Sequence, residues 1–388
     1  MSQPLPWGRM QGVRPSKPFQ RFLDTGLSPE QAAARMQSMY GVSEEKARLL
    51  CQVSQFTRQL LADMERDAVS IYVGIPFCPT RCLYCSFPSH SLAELGRERG
   101  RFVTQLEEEI AALGEYLRSH GHPIDSVYVG GGTPTALSAA DLGRVLGTLR
   151  RQMPAGWREF TVEAGRPETL TDQLLSVMTE HGVERISVNP QTKHDRTLRA
   201  IGRSHRAADI EHAYARCRGL FDVINMDLIL GLPGEGLAEV QQSLHWVLGM
   251  RPENITLHMF SPKRASRFSA ERSTWAEQLP ADQEARAMTA WCYRELGAAG
   301  YRPYYLYRQR NILGGQENIG WALPGAECRY NALMIEERQT ILGLGGGASS
   351  KFIHGDGSVD TLANPKDVLV YLHRMPELIE RKLRLLAE

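Results

Sequence analysis

The sequence predicts an α/β protein with a helical N-terminal extension and an α+β C-terminal cap. The first observation is that six short runs rich in Val and Ile alternate with amphipathic helical segments between residues 70 and 260. The second is that two helical patterns precede this alternation, and the third is that the alternation is lost after residue 262. Strands that alternate with helices in this way are parallel, and their sheet either opens out or curls towards a barrel.

The first predicted unit, residues 1–67, is an N-terminal helical region. Its opening stretch is rich in Pro and Gly, which predicts irregular structure. Ser28 then stands as an N-cap before Pro29 at the first helical position, and Gly41 follows the last helical residue. Ser43 is the N-cap of a second helix with apolar residues at helical spacing. We therefore expect a helical hairpin whose apolar stripe packs on a larger body.

The central unit, residues 68–262, carries the predicted parallel strands, and residues 263–388 form the predicted substrate-binding cap. Polar and glycine residues follow the apolar runs, as expected where loops at the carboxyl ends of parallel strands build a site. The predicted strands cover residues 70–75, 126–131, 159–164, 185–190, 223–231 and 254–260. The predicted helices lie near residues 94–118, 139–152, 170–181, 206–218 and 237–249.

The overall composition excludes several classes of protein. The chain of 388 residues has a formal net charge of +1, so no broad basic field points to nucleic acid or to an anionic membrane. No apolar run reaches the length of a membrane span, and the start lacks a signal-peptide pattern. We expect a cytoplasmic protein with no membrane insertion. Four of the cysteines stand singly, which fits a reducing compartment: Cys51, Cys217, Cys292 and Cys328.

The stretch "GIPFCPTRCLYCSF" places Cys78, Cys82 and Cys85 in the spacing C-x3-C-x2-C. Iron–sulfur clusters are held by cysteine thiolates, usually four, so three thiolates leave one iron open to a small molecule. The alternatives are a zinc site, a redox dithiol and three core cysteines. Zinc needs a fourth ligand, and a dithiol needs only two cysteines, so the spacing favours a cluster.

With Tyr84 directly before the last cysteine, this motif resembles that of the radical S-adenosylmethionine (SAM) superfamily. The resemblance implies a partial (β/α)6 TIM-like barrel that binds a [4Fe–4S] cluster and SAM. In the superfamily, SAM chelates the open iron, and one electron cleaves SAM to methionine and a 5′-deoxyadenosyl radical. We expect Cys78, Cys82 and Cys85 to be the catalytic cluster ligands. We expect Tyr84 and Phe87 to wall the cluster from water.

Glycine or polar residues follow each successive strand. After the second strand comes "GGGTP", whose backbone a ligand could approach closely, although a tight turn explains it equally well. The ordered set resembles that of the oxygen-independent coproporphyrinogen dehydrogenases. The resemblance implies that Glu163 and Arg203 bind the methionine end of SAM. It implies that Gln191 and Asp227 bind the ribose. The full set of implied cofactor contacts, besides Tyr84 and Phe87, is Tyr72, Gly131, Gly132, Thr133, Glu163, Gln191, Arg203 and Asp227.

Three further stretches, "LPWGRMQGVRPSK", "YYLYRQRNILGGQENIGWALPG" and "MIEERQTILGLGGGASSKF", resemble the HemZ branch of that group. The resemblance implies a radical SAM oxidoreductase of heme biosynthesis that oxidatively decarboxylates coproporphyrinogen III to protoporphyrinogen IX. Gly74 and Phe87 stand where the dehydrogenase branch has a histidine and a cysteine. Two alternatives therefore stay open. One is a heme-binding or heme-transfer protein that retains the cluster, and the other is a radical SAM enzyme that methylates or cleaves another tetrapyrrole.

The cap offers cations and aromatic rings for a tetrapyrrole substrate with four carboxylates. We expect its site to include Lys263, Arg264, Tyr307, Arg308 and Arg310. If "YYLYRQRN" is extended, the two last arginines lie on one face of a strand. The alternative is an ordinary strand with solvated arginines. The remaining expected partner is a one-electron donor such as flavodoxin or ferredoxin, and we expect a monomer that does not bind nucleic acid.

Overall fold

The computed structural model describes residues 5–10, 12–85, 90–91, 96–264 and 266–388. Its strands are β1 Val69–Ile75, β2 Phe77–Cys78, β3 His90–Ser91, β4 Ile124–Gly131, β5 Glu159–Glu163, β6 Arg185–Ser187, β7 Val223–Leu230, β8 Asn254–Met259, β9 Arg302–Tyr307, β10 Asn318–Ala322, β11 Thr340–Gly345, β12 Ser349–Ile353 and β13 Val359–Ala363. Its α-helices are α1 Ser16–Asp24, α2 Pro29–Tyr40, α3 Glu44–Leu60, α4 Arg99–Ser119, α5 Ala139–Gln152, α6 Asp172–Glu180, α7 Asp195–Ala200, α8 Ala207–Cys217, α9 Leu237–Met250, α10 Arg267–Ala270, α11 Arg272–Trp275, α12 Asp282–Ala298, α13 Arg329–Glu336 and α14 Val368–Ala387.

Eleven of these strands form one open sheet in the order β13-β12-β11-β1-β4-β5-β6-β7-β8-β10-β9. Neighbouring strands from β1 to β8 are parallel, and β11 adds a further parallel strand beside β1. The strands at both edges are antiparallel to their neighbours. The predicted α/β class is therefore confirmed, and the sheet is open rather than closed. No described helix has the length and apolar character needed to cross a membrane.

All six predicted parallel strands are present, with bounds within three residues of the prediction. The largest difference is at β6, which ends at Ser187 although the apolar run continues to residue 190. The chain leaves the strand there and reaches Gln191, whose φ of 68° lies in the left-handed region. A left-handed residue breaks the extended pattern, and this turn carries Gln191 to the carboxyl end of the neighbouring strand β7.

Side-chain alternation in β1 separates the hydrophobic core from the interior of the curved sheet. Ile71 and Val73 are fully buried in the main core with Leu106 of α4. Tyr72 points to the opposite face, where it stacks on Tyr128 of β4. Successive strands that repeat this pattern place polar and aromatic side chains together on the concave side.

Both predicted helix starts in the N-terminal region are confirmed. Ser28 forms a capping box at α2, and Ser43 accepts a hydrogen bond from the backbone N–H of Lys46 at α3. Gly41 ends α2 with a φ of 69°, a conformation that favours glycine. The prediction of irregular structure is wrong at its end, because α1 begins at Ser16. The region is therefore three helices rather than a hairpin.

A buried polar cluster fixes the N-terminal helices to the edge of the sheet. Lys46 Nζ forms an ion pair of 2.6 Å with Glu317, which also accepts hydrogen bonds from Trp7 Nε1 and the Tyr293 hydroxyl. Glu317 directly precedes β10. Because each polar atom in this cluster has a partner, burying the charges does not leave an uncompensated carboxylate.

The C-terminal residues extend the sheet at both edges rather than packing only above it. Strands β9 and β10 follow β8, whereas β11 to β13 lie beyond β1. Helix α14 is fixed by Lys382, whose Nζ lies 2.5 Å from Glu109 on α4, and Tyr371 donates a 2.6 Å hydrogen bond to the same carboxylate. The predicted domain bounds at residues 67 and 262 remain predictions.

Candidate active site

A cavity of about 260 Å³ lies at the carboxyl ends of the parallel strands. This is the edge of the sheet at which sequence reasoning expected the site. The cavity brings together predicted residues from the cysteine loop, from four further strands or the segments that follow them, and from the cap. The predicted residues that line it are Cys78, Cys82, Tyr84, Cys85, Gly132, Thr133, Glu163, Gln191, Arg203, Asp227, Lys263 and Tyr307. Phe87 lies outside the described residues, so its predicted role stays a prediction.

The cysteine loop follows β1 and is held by neighbouring elements. Cys78 and Cys82 are buried, and Cys85 is partly exposed. Cys78 Sγ lies 3.3 Å from the hydroxyl of Thr133, and the backbone N–H of Leu83 donates to the carbonyl of Ile201. The loop is therefore anchored to the end of β4 and to the segment after α7.

The glycine run after β4 allows the cysteine loop to approach closely. A Cβ atom at Gly132 would lie 2.5 Å from the carbonyl oxygen of Phe77 and 3.1 Å from Cys78 Sγ. Gly131 has a φ of 108°, which L-residues with a side chain rarely adopt. The backbone N–H groups of Gly132 and Thr133 donate to the carbonyls of Ile75 and Phe77. Here the run therefore holds the cysteine loop, and Gly131 itself does not line the cavity.

Arg203 has a buried guanidinium group, and two of its three nitrogens form hydrogen bonds with described residues. Its NH1 donates to the carbonyls of Gly165 and Asn189 at 2.7 and 3.1 Å, and its NH2 donates to the hydroxyl of Tyr84 at 3.3 Å. Its Nε has no hydrogen-bond partner among the described residues. A buried donor without a partner costs free energy, so this nitrogen is suited to a bound anionic group.

Glu163 ends β5, and its surroundings raise the pKa of its carboxyl group. The hydroxyl of Tyr128 donates to it at 2.6 Å. Burial raises the pKa of Glu163 to about 7, although part of its surface is exposed to the cavity. The hydrogen bond from Tyr128 acts in the opposite direction and lowers the pKa. The charge of Asp227 adds to the increase. Glu163 is therefore poised to lose its proton when a cation or a hydrogen-bond donor binds.

Asp227 on β7 differs from Glu163 because its surroundings stabilise the charge. Burial alone would raise the pKa of Asp227. A hydrogen bond from His258, the charge of His258 and a hydrogen bond from Asn225 outweigh burial and hold the pKa of Asp227 below its usual value. Asn225 donates to it at 2.7 Å. The backbone of Gln191 is joined to the same strand, since its N–H donates to the carbonyl of Asp227. This fixes two predicted ribose-binding residues side by side.

A second chamber of about 500 Å³ adjoins the cysteine cavity. Tyr72 lies here rather than beside the cysteines, and its ring stacks on Tyr128 and Tyr330 with centroid separations of 6.1 and 5.9 Å. Residues from β1, from β4 to β9 and from β12 line the chamber, so the open sheet curves around it. The two spaces share the side chains Glu163, Asn189, Asp227, His258 and Tyr307.

The structure divides the predicted cap residues into two groups. Lys263 and Tyr307 line the cysteine cavity, and Arg264 and Arg310 are exposed. Arg308 donates to the carbonyl of Met10 at 2.9 Å and therefore points towards the N-terminal segment.

The expectation of one extended segment is wrong, because β9 ends at Tyr307. Side chains still alternate in direction just beyond β9, but the residues that face the cavity are not the predicted arginines. Tyr307 and Gln309 face the cavity, whereas Arg308 and Arg310 do not line it.

Several residues of the two spaces were missed by sequence reasoning. Asn189, His258 and Tyr330 belong to them, as does Arg166, which lines the cysteine cavity. The position of His258 was detectable, because it lies two residues after the inward-facing Thr256. Arg166 gave no such signal, since a single arginine in a turn is usually solvated.

Comparison with known proteins identifies this site. The family model of the Radical SAM superfamily matches residues 72–247. The chain is also 40% identical over 391 residues to the oxygen-independent coproporphyrinogen-III oxidase-like protein HemZ of Bacillus subtilis, an alignment that covers 98% of this chain and 77% of that protein. The fold and the three-cysteine cavity thus define a radical SAM enzyme. Within that class, the chain belongs to the family of HemZ-like proteins related to coproporphyrinogen oxidases.

Two further relatives are more distant. The chain is 28% identical over 295 residues to the heme chaperone HemW of Bacillus subtilis, covering 75% of this chain and 73% of that protein. The solved structure of coproporphyrinogen III oxidase (HemN) from Escherichia coli matches with a TM-score of 0.66 and 22% identity, covering 86% of this chain and 72% of that one. The HemN structure has the same fold.

Membership of the superfamily implies a [4Fe–4S] cluster and SAM as cofactors. The residues present fit both groups. Cys78, Cys82 and Cys85 line one cavity, as three ligands of one cluster must. Arg203 lines the same cavity, and its Nε, which has no partner among the described residues, suits a carboxylate. Glu163, in the same cavity, can accept a hydrogen bond from an amino group.

Proposed function

We propose that the protein catalyses the oxygen-independent oxidative decarboxylation of coproporphyrinogen III to protoporphyrinogen IX in heme biosynthesis. The observation that carries the proposal is that a cavity with three cysteines adjoins an aromatic chamber and has Lys263 in its wall. The identity to a coproporphyrinogen-III oxidase-like relative supports it. When bound, the cluster and SAM supply a radical that can remove a hydrogen atom from a propionate side chain.

The protein's own residues have three tasks in this reaction. Arg203 and Glu163 orient the methionine end of SAM, and Asp227 and Gln191 hold its ribose. These contacts would fix the radical's carbon near the substrate, which is where an enzyme gains most from positioning. The stacked tyrosines of the adjoining chamber offer flat apolar walls to the pyrrole rings.

Lys263 is proposed to bind the propionate that reacts. It is half-buried, and its Nζ forms no ion pair or hydrogen bond with any described residue, whereas its backbone carbonyl accepts hydrogen bonds from the hydroxyls of Ser266 and Ser269. Burial lowers the pKa of Lys263, and a bound carboxylate would reverse this effect. The two arginines that line the cavity have other roles, since Arg166 contacts the cysteine loop and Arg203 is proposed to bind SAM. We therefore expect the cavity to hold one propionate, while the other carboxylates lie outside it.

The second candidate is heme binding or transfer without turnover. It is favoured by the 28% identity to a heme chaperone over three quarters of the chain. It is also favoured by the small number of cations in the cavity, since a substrate with four carboxylates would need several. Methylation or ring cleavage of another tetrapyrrole is a third outcome that the same assay would detect.

An anaerobic assay with product analysis separates these functions. The protein is reconstituted with iron and sulfide and then incubated with SAM, a reductant and coproporphyrinogen III. We expect vinyl products, CO2 and 5′-deoxyadenosine in amounts that increase together. Stoichiometric heme binding with no vinyl product would instead favour the chaperone. A methylated or ring-opened product would contradict both.

A further inference from the structure

Arg166 is buried directly against the cysteine loop. It follows β5 in the turn "EAGRPE", and only 3% of its surface is exposed. One guanidinium nitrogen, NH2, donates to Cys82 Sγ at 3.0 Å and to the carbonyl of Thr80 at 2.9 Å. The other, NH1, lies 3.3 Å from the carboxylate of Glu168. A full positive charge is thus held in hydrogen-bond contact with a cluster ligand.

We propose that Arg166 is a positioning residue that raises the reduction potential of the cluster through its hydrogen bond to Cys82. Reduction adds one negative charge to a cluster whose ligands are already thiolates. A cationic donor on a ligand sulfur stabilises the more negative form, and hydrogen bonds to the sulfurs are among the factors that set cluster potentials. The low exposure of Arg166 and Cys82 keeps solvent from screening the interaction.

Glu168 places a negative charge beside Arg166. Its carboxylate accepts a 2.8 Å hydrogen bond from Ser204 and lies 3.5 Å from His205 Nδ1. These contacts hold the carboxylate at NH1 of Arg166, whereas Cys82 contacts NH2. The negative charge of Glu168 weakens the field that Arg166 exerts at the sulfur. Removing the charge of Glu168 should therefore have the opposite effect from removing that of Arg166.

The same hydrogen bonds could serve only to hold the loop, because Arg166 also contacts the Thr80 carbonyl. The two roles differ in what they change. A merely structural role alters the amount of cluster that is bound but not its potential. The proposed role alters the potential of clusters that are fully loaded. It concerns electron transfer to the cluster and is independent of the substrate proposed above.

The test compares reconstituted wild type with Arg166→Gln, Arg166→Lys and the surface control Arg196→Gln, whose arginine pairs with Glu239. Iron and sulfide are measured first. The midpoint potential is then measured by EPR-monitored redox titration without SAM or substrate. At a fixed potential we expect the ratio of reduced to oxidised cluster to fall about tenfold in Arg166→Gln, which for one electron is about 59 mV. Arg166→Lys should shift less, and the control should not shift.

A fully loaded Arg166→Gln with the wild-type midpoint would overturn the proposal. If that variant loads less iron than wild type, Glu168→Gln decides. It keeps Arg166 and removes the opposing charge, so we expect a midpoint more positive than wild type. An unchanged or more negative midpoint in loaded Glu168→Gln would overturn the proposal.

Discussion

The raised pKa of Glu163 predicts that SAM binding depends on pH in a specific way. Its carboxyl group has a pKa of about 7, because it is buried and lies near Asp227. With that pKa, about nine tenths of the groups are ionised at pH 8 and about one tenth at pH 6. If only the ionised form pairs with the amino group of SAM, Glu163 alone should raise the Kd about tenfold between pH 8 and pH 6.

The assay is titration of SAM into the anaerobically reconstituted protein from pH 6 to pH 8, with Glu163→Gln as the comparison. The amino group of SAM also titrates in this range, but it does so with both proteins. The contribution of Glu163 is therefore the difference between the two pH profiles. We expect the Kd of wild type to change about tenfold more than that of Glu163→Gln.

His258 also lines this part of the cavity, and its Nε2 lies 3.6 Å from a carboxylate oxygen of Asp227. A His258→Gln variant should keep the steeper wild-type profile if Glu163 is the titrating group. The reasoning would be refuted by identical pH profiles for wild type and Glu163→Gln. It would also be refuted if the steep profile were lost in His258→Gln and kept in Glu163→Gln.

Three further predictions follow from the cavity. Cys82→Ala should not retain the cluster, because two thiolates cannot hold it. Cys51→Ala should match wild type in iron and sulfide content. Full iron and sulfide content in Cys82→Ala would contradict the assignment of the cluster ligands. Arg203→Ala should keep its iron but bind SAM about ten- to hundredfold more weakly in a titration, for a lost charged hydrogen bond of about 1.5–3 kcal/mol; wild-type affinity would remove Arg203 from the SAM site. Lys263→Gln should keep SAM cleavage without substrate but lose its stimulation by coproporphyrinogen III, whereas the exposed Arg310→Gln should keep both. Equal stimulation in the two variants would argue against Lys263 as the propionate ligand.

Local signals in the sequence were sufficient to predict helices α2 and α3 and the six parallel strands β1 and β4 to β8. Ser28 and Ser43 mark helix starts because a side-chain oxygen must satisfy backbone N–H groups, and this depends only on neighbours in the chain. The signals for the parallel strands are also local, since each strand is a short run rich in Val and Ile. That β11 pairs with β1 was not predicted, because partners such as Ile71 and Leu342 lie 271 positions apart in the chain.

The candidate site was predictable where a motif or a strand end places a residue. The three cysteines and the predicted strand-end residues other than Gly131 do meet in one cavity. The cap was less predictable, because Arg308 is drawn away by the carbonyl of Met10, a contact between distant parts of the chain. Arg166 was missed for the same reason. Its contact with Cys82 spans 84 residues, and nothing in the turn itself indicates a partner.

The central claim is that radical chemistry in this cavity acts on a propionate of coproporphyrinogen III. Transfer of deuterium from substrate to cofactor tests it most directly. The reconstituted protein is incubated anaerobically with SAM, a reductant and coproporphyrinogen III deuterated in its propionate side chains, and the 5′-deoxyadenosine is analysed by mass spectrometry. We expect 5′-deoxyadenosine with one deuterium, formed together with the vinyl product. Formation of 5′-deoxyadenosine without deuterium and without vinyl product would contradict it.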